Sequence, residues 1–161
     1  MMKKIKNPFP SGNTNSYNCF GCSPANAIGL HLEFWQDGED LVAVWQPRKS
    51  FEGWAGILHG GIQATLTDEA AAWLVFTNLK TAGVTKEMQI RYLKPLFISK
   101  GHITVRATLL STEERVARIK SILHDGQGEL CAEADISYLY FPENVARAKY
   151  GYPGIDAFFT E

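Results

Sequence analysis

The chain has 161 residues, 45% of them hydrophobic, which is enough for one globular domain with its own core. Its 16 Lys and Arg against 17 Asp and Glu leave a formal charge of −1, so no overall field draws it to nucleic acid or to an anionic membrane. No apolar run is long enough to span a bilayer, and the positive start Met1–Lys6 is not followed by the hydrophobic stretch of a signal peptide, so the expected location is the cytoplasm.

Residues 1–18 are polar and rich in Asn, Ser, Pro and Gly, and read as a tail or a wrapping segment. Leu30–Phe34 and Leu41–Trp45 are short strands, with Asp37-Gly38 as the turn of a hairpin between them. Pro47–Gly56 reads as a loop. From His59 to about Leu79 the pattern turns helical: Ile62, Leu66, Trp73 and Thr77 recur at a spacing of three to four, Ala70 fills the gap, and Lys80–Gly83 ends the helix, with Gly83 as the stop or turn residue. The period then changes to two. Met88, Ile90 and Tyr92 alternate with polar residues until Pro95, and further runs follow over 103–109, 117–123 and 130–140. Ser111–Glu114 and Asp125–Gly128 are the turns between them. The last residues hold a short helical turn, and the aromatics Tyr150, Tyr152, Phe158 and Phe159 pack back onto the domain. Two strands, one helix and four antiparallel strands make an α+β protein, and the helix is apolar on most sides, as suits one wrapped by its sheet. The domain runs over 19–141, between the tail at 1–18 and a C-terminal extension at 142–161.

Three cysteines give no disulfide framework. Cys19-Phe20-Gly21-Cys22 is a single CxxC; His31 and Cys131 could complete a metal site but stand at no standard zinc spacing, so the pair reads as a structural turn of reduced thiols, with metal binding and redox activity as the alternatives.

The stretch that carries chemistry is His59-Gly60-Gly61 opening the helix, with Asp68 about two and a half turns in. Gly60 and Gly61 remove side chains where the first backbone N–H groups of a helix lack intrahelical partners. Bare donors at the positive end of the helix dipole suit a carbonyl oxygen that gains negative charge. Ala64, Thr65, Ala71 and Ala72 surround Asp68 with small side chains, which leave space for a substrate and equally allow close packing. Glu69, about a quarter-turn away, reads as a solvated or dimer-contact charge. His59 is a candidate base or a residue that shapes the loop through hydrogen bonds. Trp54 is a loop aromatic near the helix start. Lys86, Arg91, Lys94 and Lys100 are the cations that could meet a phosphate group.

Taken together, His59-Gly60-Gly61 with Leu66-x-Asp68, the Cys19–Cys22 pair with Asn26-Ala27-Ile28-Gly29-Leu30, and Tyr92-Leu93-Lys94-Pro95 resemble the hotdog-fold thioesterases, in particular the PaaI-like branch with its HGGxxxxLxD signature. The resemblance implies a long central helix wrapped by a curved antiparallel sheet, and a homodimer or dimer of dimers with the site at the subunit interface. It implies hydrolysis of an acyl-CoA with no cofactor other than the coenzyme A of the substrate. Gly60 N–H would polarise the thioester carbonyl, Asp68 of the other protomer would act as general base or nucleophile, and Thr85 would orient water. Gly61, Trp54 and Lys86 are the residues expected to bind substrate. Two features depart from relatives: 47–58 offers no Asn or Gln to the carbonyl, only Glu52 and Gly53, and Ala72 stands where another branch has Ser or Thr. The competing readings are a non-catalytic acyl-CoA-binding module and a hotdog hydratase or dehydratase. Geometry favours two chains at the site, because Gly60 and Asp68 stand about 12 Å apart along one helix.

Overall fold

The computed structural model describes residues 1–10 and 17–159. Seven strands form one sheet: β1 (Lys3–Ile5), β2 (Glu33–Asp37), β3 (Asp40–Trp45), β4 (Gly83–Tyr92), β5 (Ile103–Glu113), β6 (Val116–His124) and β7 (Leu130–Tyr140). Their spatial order is β1-β2-β3-β5-β6-β7-β4, and every neighbouring pair is antiparallel. The long helix α1 (Gly60–Asn78) packs against β3, β4, β5, β6 and β7, which a sheet can achieve only by curving around it. Leu66, Ala70, Trp73 and Leu74 of α1 meet the alternating inward residues of the strands, such as Val105, Ala107, Ile119, Leu123, Ala134 and Ile136. This is the α+β hotdog architecture implied by the resemblance.

Several local expectations change. The first predicted strand shifts from 30–34 to Glu33–Asp37, because His31 takes a left-handed φ of 56° that interrupts extended backbone. Leu30 and Leu32 are still buried, but their N–H groups bond the carbonyls of Phe20 and Gly21 and so tie the CxxC turn to the sheet. Gly83 does not stop the helix. Lys80 makes that turn at φ 56°, while Gly83 begins β4 against β7, where a Cβ would stand 2.2 Å from the Leu139 carbonyl oxygen. The turn expected at 111–114 moves to Glu114-Arg115, both with positive φ, after a bulge between Leu109 and Ser111 extends β5.

In the segment read as a tail or wrap, Lys3–Ile5 pairs as an edge strand with β2, and Phe9 is buried; residues 11–16 lie outside the described residues. A second helix, α2 (Glu143–Tyr150), follows β7. Beyond it Tyr152 and Phe158 pack with Phe9 and Phe76, and the Tyr152 hydroxyl donates to the Phe76 carbonyl (2.8 Å) near the end of α1. Residues 160–161 are likewise outside the description.

Candidate active site

The start of α1 is held open by its own cap. His59 Nδ1 accepts the Gly61 N–H (2.9 Å), and the His59 carbonyl receives the N–H groups of Ile62 and Gln63. The Gly60 N–H donates to no described residue, so the helix presents one bare donor at its positive end. Gly60 lines a cleft of about 710 Å³ together with Gly53, Trp54, Ile57, Leu58, His59, Gln63, Tyr92, Leu93, Lys94 and Pro95. The Tyr92 hydroxyl donates to the Gly60 carbonyl (2.7 Å), fastening the end of β4 to the first turn of the helix.

Asp68 lies two turns further along, half-buried and outside that cleft. Thr85 Oγ1 donates to its Oδ1 at 2.6 Å. A bulge between Thr85 and Glu87 lets Thr85 meet the helix while β4 keeps pairing with β7. Burial raises the Asp68 carboxyl above the ordinary range, and the Thr85 hydrogen bond opposes that shift. The same turn is tied to the sheet by Ser121 Oγ, which donates to the Thr67 carbonyl (3.0 Å). One chain therefore carries two separate half-sites on one helix: a donor with a cleft, and a carboxylate with a hydroxyl.

The remaining expected residues divide. Trp54 is exposed and borders the Gly60 cleft. Gly61 does not join it: its N–H is taken by His59, and it faces Ser50, Phe51 and Ile62 instead. Lys86 is the bulge residue of β4 and lines a different depression with Glu113, Glu114 and Arg118. Of the cations named from sequence, Lys94 is the one at the cleft, where it pairs with Glu129; Arg91 pairs with Glu133 and Asp135. Glu52 is occupied by the Gly56 N–H (2.9 Å).

Two cleft residues escaped the sequence reading of roles. Tyr92 was visible only as part of a strand-ending motif. Gln63 is buried, donates through Nε2 to the Leu58 carbonyl (3.0 Å), and leaves Oε1 without a partner among the described residues. Its signal was a polar side chain on the apolar first turn of the helix, three residues after Gly60.

Glu69 corrects an expectation. It is no solvated charge: the Cys19 thiol and the Trp73 indole N–H both donate to its Oε1 at 3.2 Å. Burial pushes its carboxyl up to about 8, with the neighbouring Cys19 adding to the rise. The Cβ that Gly21 lacks would lie 2.6 Å from the Glu69 Cδ, so the CxxC turn rests directly on this carboxyl. The helical pattern placed Trp73 one turn from Glu69 but could not reveal the thiol partner, because Cys19 is 50 residues away in sequence.

A curved antiparallel sheet around one long helix, with a bare N–H donor at the helix start and a hydroxyl-bound carboxylate further on, defines a hotdog protein. The family model described as "Thioesterase superfamily" matches residues 55–132, from the loop before α1 to the beginning of β7. SSO1253, a protein of Saccharolobus solfataricus that carries a provisional esterase name, is 35% identical over 119 residues, covering 73% of this chain and 77% of its own. The chain belongs to the thioesterase superfamily.

Among solved structures, the thioesterase superfamily protein RHA08564 superposes with a TM-score of 0.67 at 19% identity over 77% of this chain; the chain spans 61% of that protein. A hypothetical thioesterase of Streptococcus pneumoniae TIGR4, solved with coenzyme A, superposes with a TM-score of 0.60 at 20% identity, covering 65% of this chain and 80% of its own. No helix among the described residues is long and apolar enough to cross a membrane.

Proposed function

We propose that the protein is an acyl-CoA thioesterase of the PaaI-like branch, working as a homodimer or dimer of dimers whose site combines the Gly60 cleft of one protomer with Asp68 and Thr85 of the other. The observation that carries this reading is the separation of the two half-sites. Gly60 and Asp68 are eight residues apart on one helix, about 12 Å at 1.5 Å per residue, and Asp68 does not line the cleft. One thioester cannot touch both in a single chain. Edge strand β4, whose outer side has no sheet neighbour among the described residues, carries Thr85 and exposed Val84 and is the natural edge for a second copy.

In this mechanism the thioester carbonyl oxygen accepts the Gly60 N–H, so charge that develops on it meets a fixed donor and the helix dipole. Asp68 takes a proton from water as the water oxygen bonds to the carbonyl carbon, and the C–S bond then breaks, with the sulfur leaving as CoA thiol once protonated. Direct attack by the Asp68 carboxylate, giving an anhydride that water opens, uses the same atoms. Thr85 holds the carboxylate. His59 acts by capping the helix and keeping Gly60 exposed, and Trp54 and Lys94 meet the acyl group and the CoA phosphates at the cleft mouth. Lys86, next to Thr85, approaches the same CoA only from the partner chain. Nothing in this scheme calls on a cofactor beyond the coenzyme A of the substrate.

The test is thiol release from a panel of acyl-CoAs by wild type and Asp68→Ala, with the mass in solution measured alongside. Wild-type turnover that falls by about 100-fold or more in the variant supports the reading. Undiminished turnover removes Asp68 from the mechanism, a strictly monomeric active protein removes the shared site, and tight acyl-CoA binding without thiol release would make the protein a binding module.

A further inference from the structure

The Cys19–Cys22 turn and Glu69 form a cluster that the proposed hydrolysis does not use. The two Sγ atoms and a Glu69 carboxylate oxygen all lie within 4.8 Å of one another. The turn folds as a thiolate-binding knuckle: the Gly21 N–H donates to Cys19 Sγ (3.3 Å), the Ser23 N–H closes the turn onto the Cys19 carbonyl (3.0 Å), and glycine at position 21 lets the turn sit on the carboxyl. Among the described residues no Lys, Arg or His pairs with Glu69; its polar contacts are the Cys19 thiol and the Trp73 N–H. An enclosed acidic side chain between two thiols and without a counter-cation keeps its proton, and it becomes a carboxylate at little cost only when a cation joins it.

We infer that Cys19, Cys22 and Glu69 bind a zinc ion that clamps the N-terminal segment onto α1, one residue beyond Asp68. Two thiolates and a carboxylate are donors that suit zinc, and this CxxC takes its third ligand from the helix rather than from a second CxxC. With Zn–S near about 2.3 Å and Zn–O near about 2.0 Å, tetrahedral ligands stand about 3.8 Å (S to S) and about 3.5 Å (S to O) apart. The Cys19–Glu69 separation of 3.2 Å is already close to that edge, so little movement closes the site. Binding releases the two thiol protons and the proton held on the Glu69 carboxyl to solvent, and the two thiolates and one carboxylate exceed the ion's charge by one. The Tyr17 hydroxyl, 3.0 Å from Cys22 Sγ, also stands at the cluster and is placed to complete it as a neutral fourth group. The clamp joins segments 50 residues apart, so it stabilises the fold and holds the helix that presents Asp68.

The test is a cobalt(II) titration of the reduced, metal-free full chain. The expected result is near-ultraviolet thiolate-to-cobalt absorption with tetrahedral visible bands, saturating at about one ion per chain and displaced by zinc, together with a higher Tm for the zinc form. Cys19→Ser and Cys22→Ser lose the thiolate band or weaken binding by about 100-fold, Glu69→Gln changes the visible bands and weakens binding about tenfold or more, and Cys131→Ser leaves all of it intact. A wild-type chain that develops no thiolate band overturns the proposal without recourse to any variant. Binding that survives both Cys19→Ser and Glu69→Gln in variants whose circular dichroism is native also overturns it. None of these readouts depends on thioester turnover, so failure here leaves the proposed hydrolysis standing.

Discussion

Thr85 Oγ1 donates a 2.6 Å hydrogen bond to Asp68 Oδ1, joining the edge strand to the middle of the central helix. The bond holds one carboxylate oxygen; in the proposed mechanism the other meets water or the acyl carbon. If Thr85 positions the carboxylate, Thr85→Val lowers kcat about tenfold with little change in KM, and Thr85→Ser restores most of it. Steady-state kinetics of the two variants on one acyl-CoA decide this, and equal kcat values for both would remove Thr85 from a positioning role.

Gly60 stands at the first position of α1, where proline is tolerated because the missing N–H has no intrahelical partner. His59 already has the extended backbone that precedes proline, with φ −57° and ψ 134°. Gly60→Pro therefore deletes the proposed carbonyl donor while keeping the helix. The expected outcome is a fall in kcat of about 100-fold or more with native circular dichroism.

Mixing the two catalytic variants tests the shared site directly. If the site is shared between two protomers as proposed, Asp68→Ala and Gly60→Pro chains, each nearly inactive alone, form mixed dimers in which one of the two sites has both groups intact. Refolded together in equal amounts, they should recover about a quarter of wild-type activity, since half of the random dimers are mixed. No recovery despite proven subunit exchange would place both groups in one chain.

Asp125 anchors the β6–β7 turn. Its Oδ1 accepts the N–H groups of Gln127 (2.9 Å) and Glu129 (3.0 Å), and its Oδ2 meets Lys100 Nζ at 3.1 Å. Burial pushes this carboxyl up, but the backbone N–H of Glu129, Lys100 and the N–H of Gln127 outweigh it and hold the group below the ordinary carboxylate range. A depressed pKa in the folded state means the stabilisation is complete above the unfolded value of roughly 4 and is lost as pH falls through the folded value. Asp125→Ala should cost about 1–3 kcal/mol at neutral pH, and chemical denaturation should show the gap between wild type and variant narrowing as the solution becomes acidic below that value.

Gly83 has no room for a Cβ beside the Leu139 carbonyl. Gly83→Ala must push β4 away from β7 at the residue where they begin to pair, so a loss of about 2 kcal/mol or more is expected in denaturant titration. Gly53→Ala, whose Cβ would meet the nearest atom, His59 Cα, at an ordinary 3.5 Å, provides the mild comparison.

What could be read from sequence was what lies close together along the chain. The alternation in 103–109, 117–123 and 130–140 marked strands whose inward residues are the buried ones, and the spacing of Leu66, Ala70, Trp73 and Thr77 marked the helix. The His59-Gly60-Gly61 start announced a capped helix with a bare donor because capping is local chemistry within three residues. Even there, local signals misplaced the turn after β5, which depended on a bulge; the helix ended where expected, near Leu79, but Lys80 rather than Gly83 takes the left-handed conformation usually left to glycine.

The pairings that give those residues meaning were settled only by folding. Thr85 reaches Asp68 because β4 crosses the helix, Tyr92 reaches Gly60 at the other end of the same strand, and Glu69 turns inward to meet a CxxC turn 50 residues earlier. Sequence by itself determined the helix, the strands and the glycine-opened helix start, since each follows from the periodicity and capping of neighbouring residues. Tertiary structure decided which carboxylate meets which hydroxyl and which meets the thiols. Asp68 and Glu69 are adjacent acids that differ in composition by one methylene, and about 100° of helical rotation sends them to opposite fates.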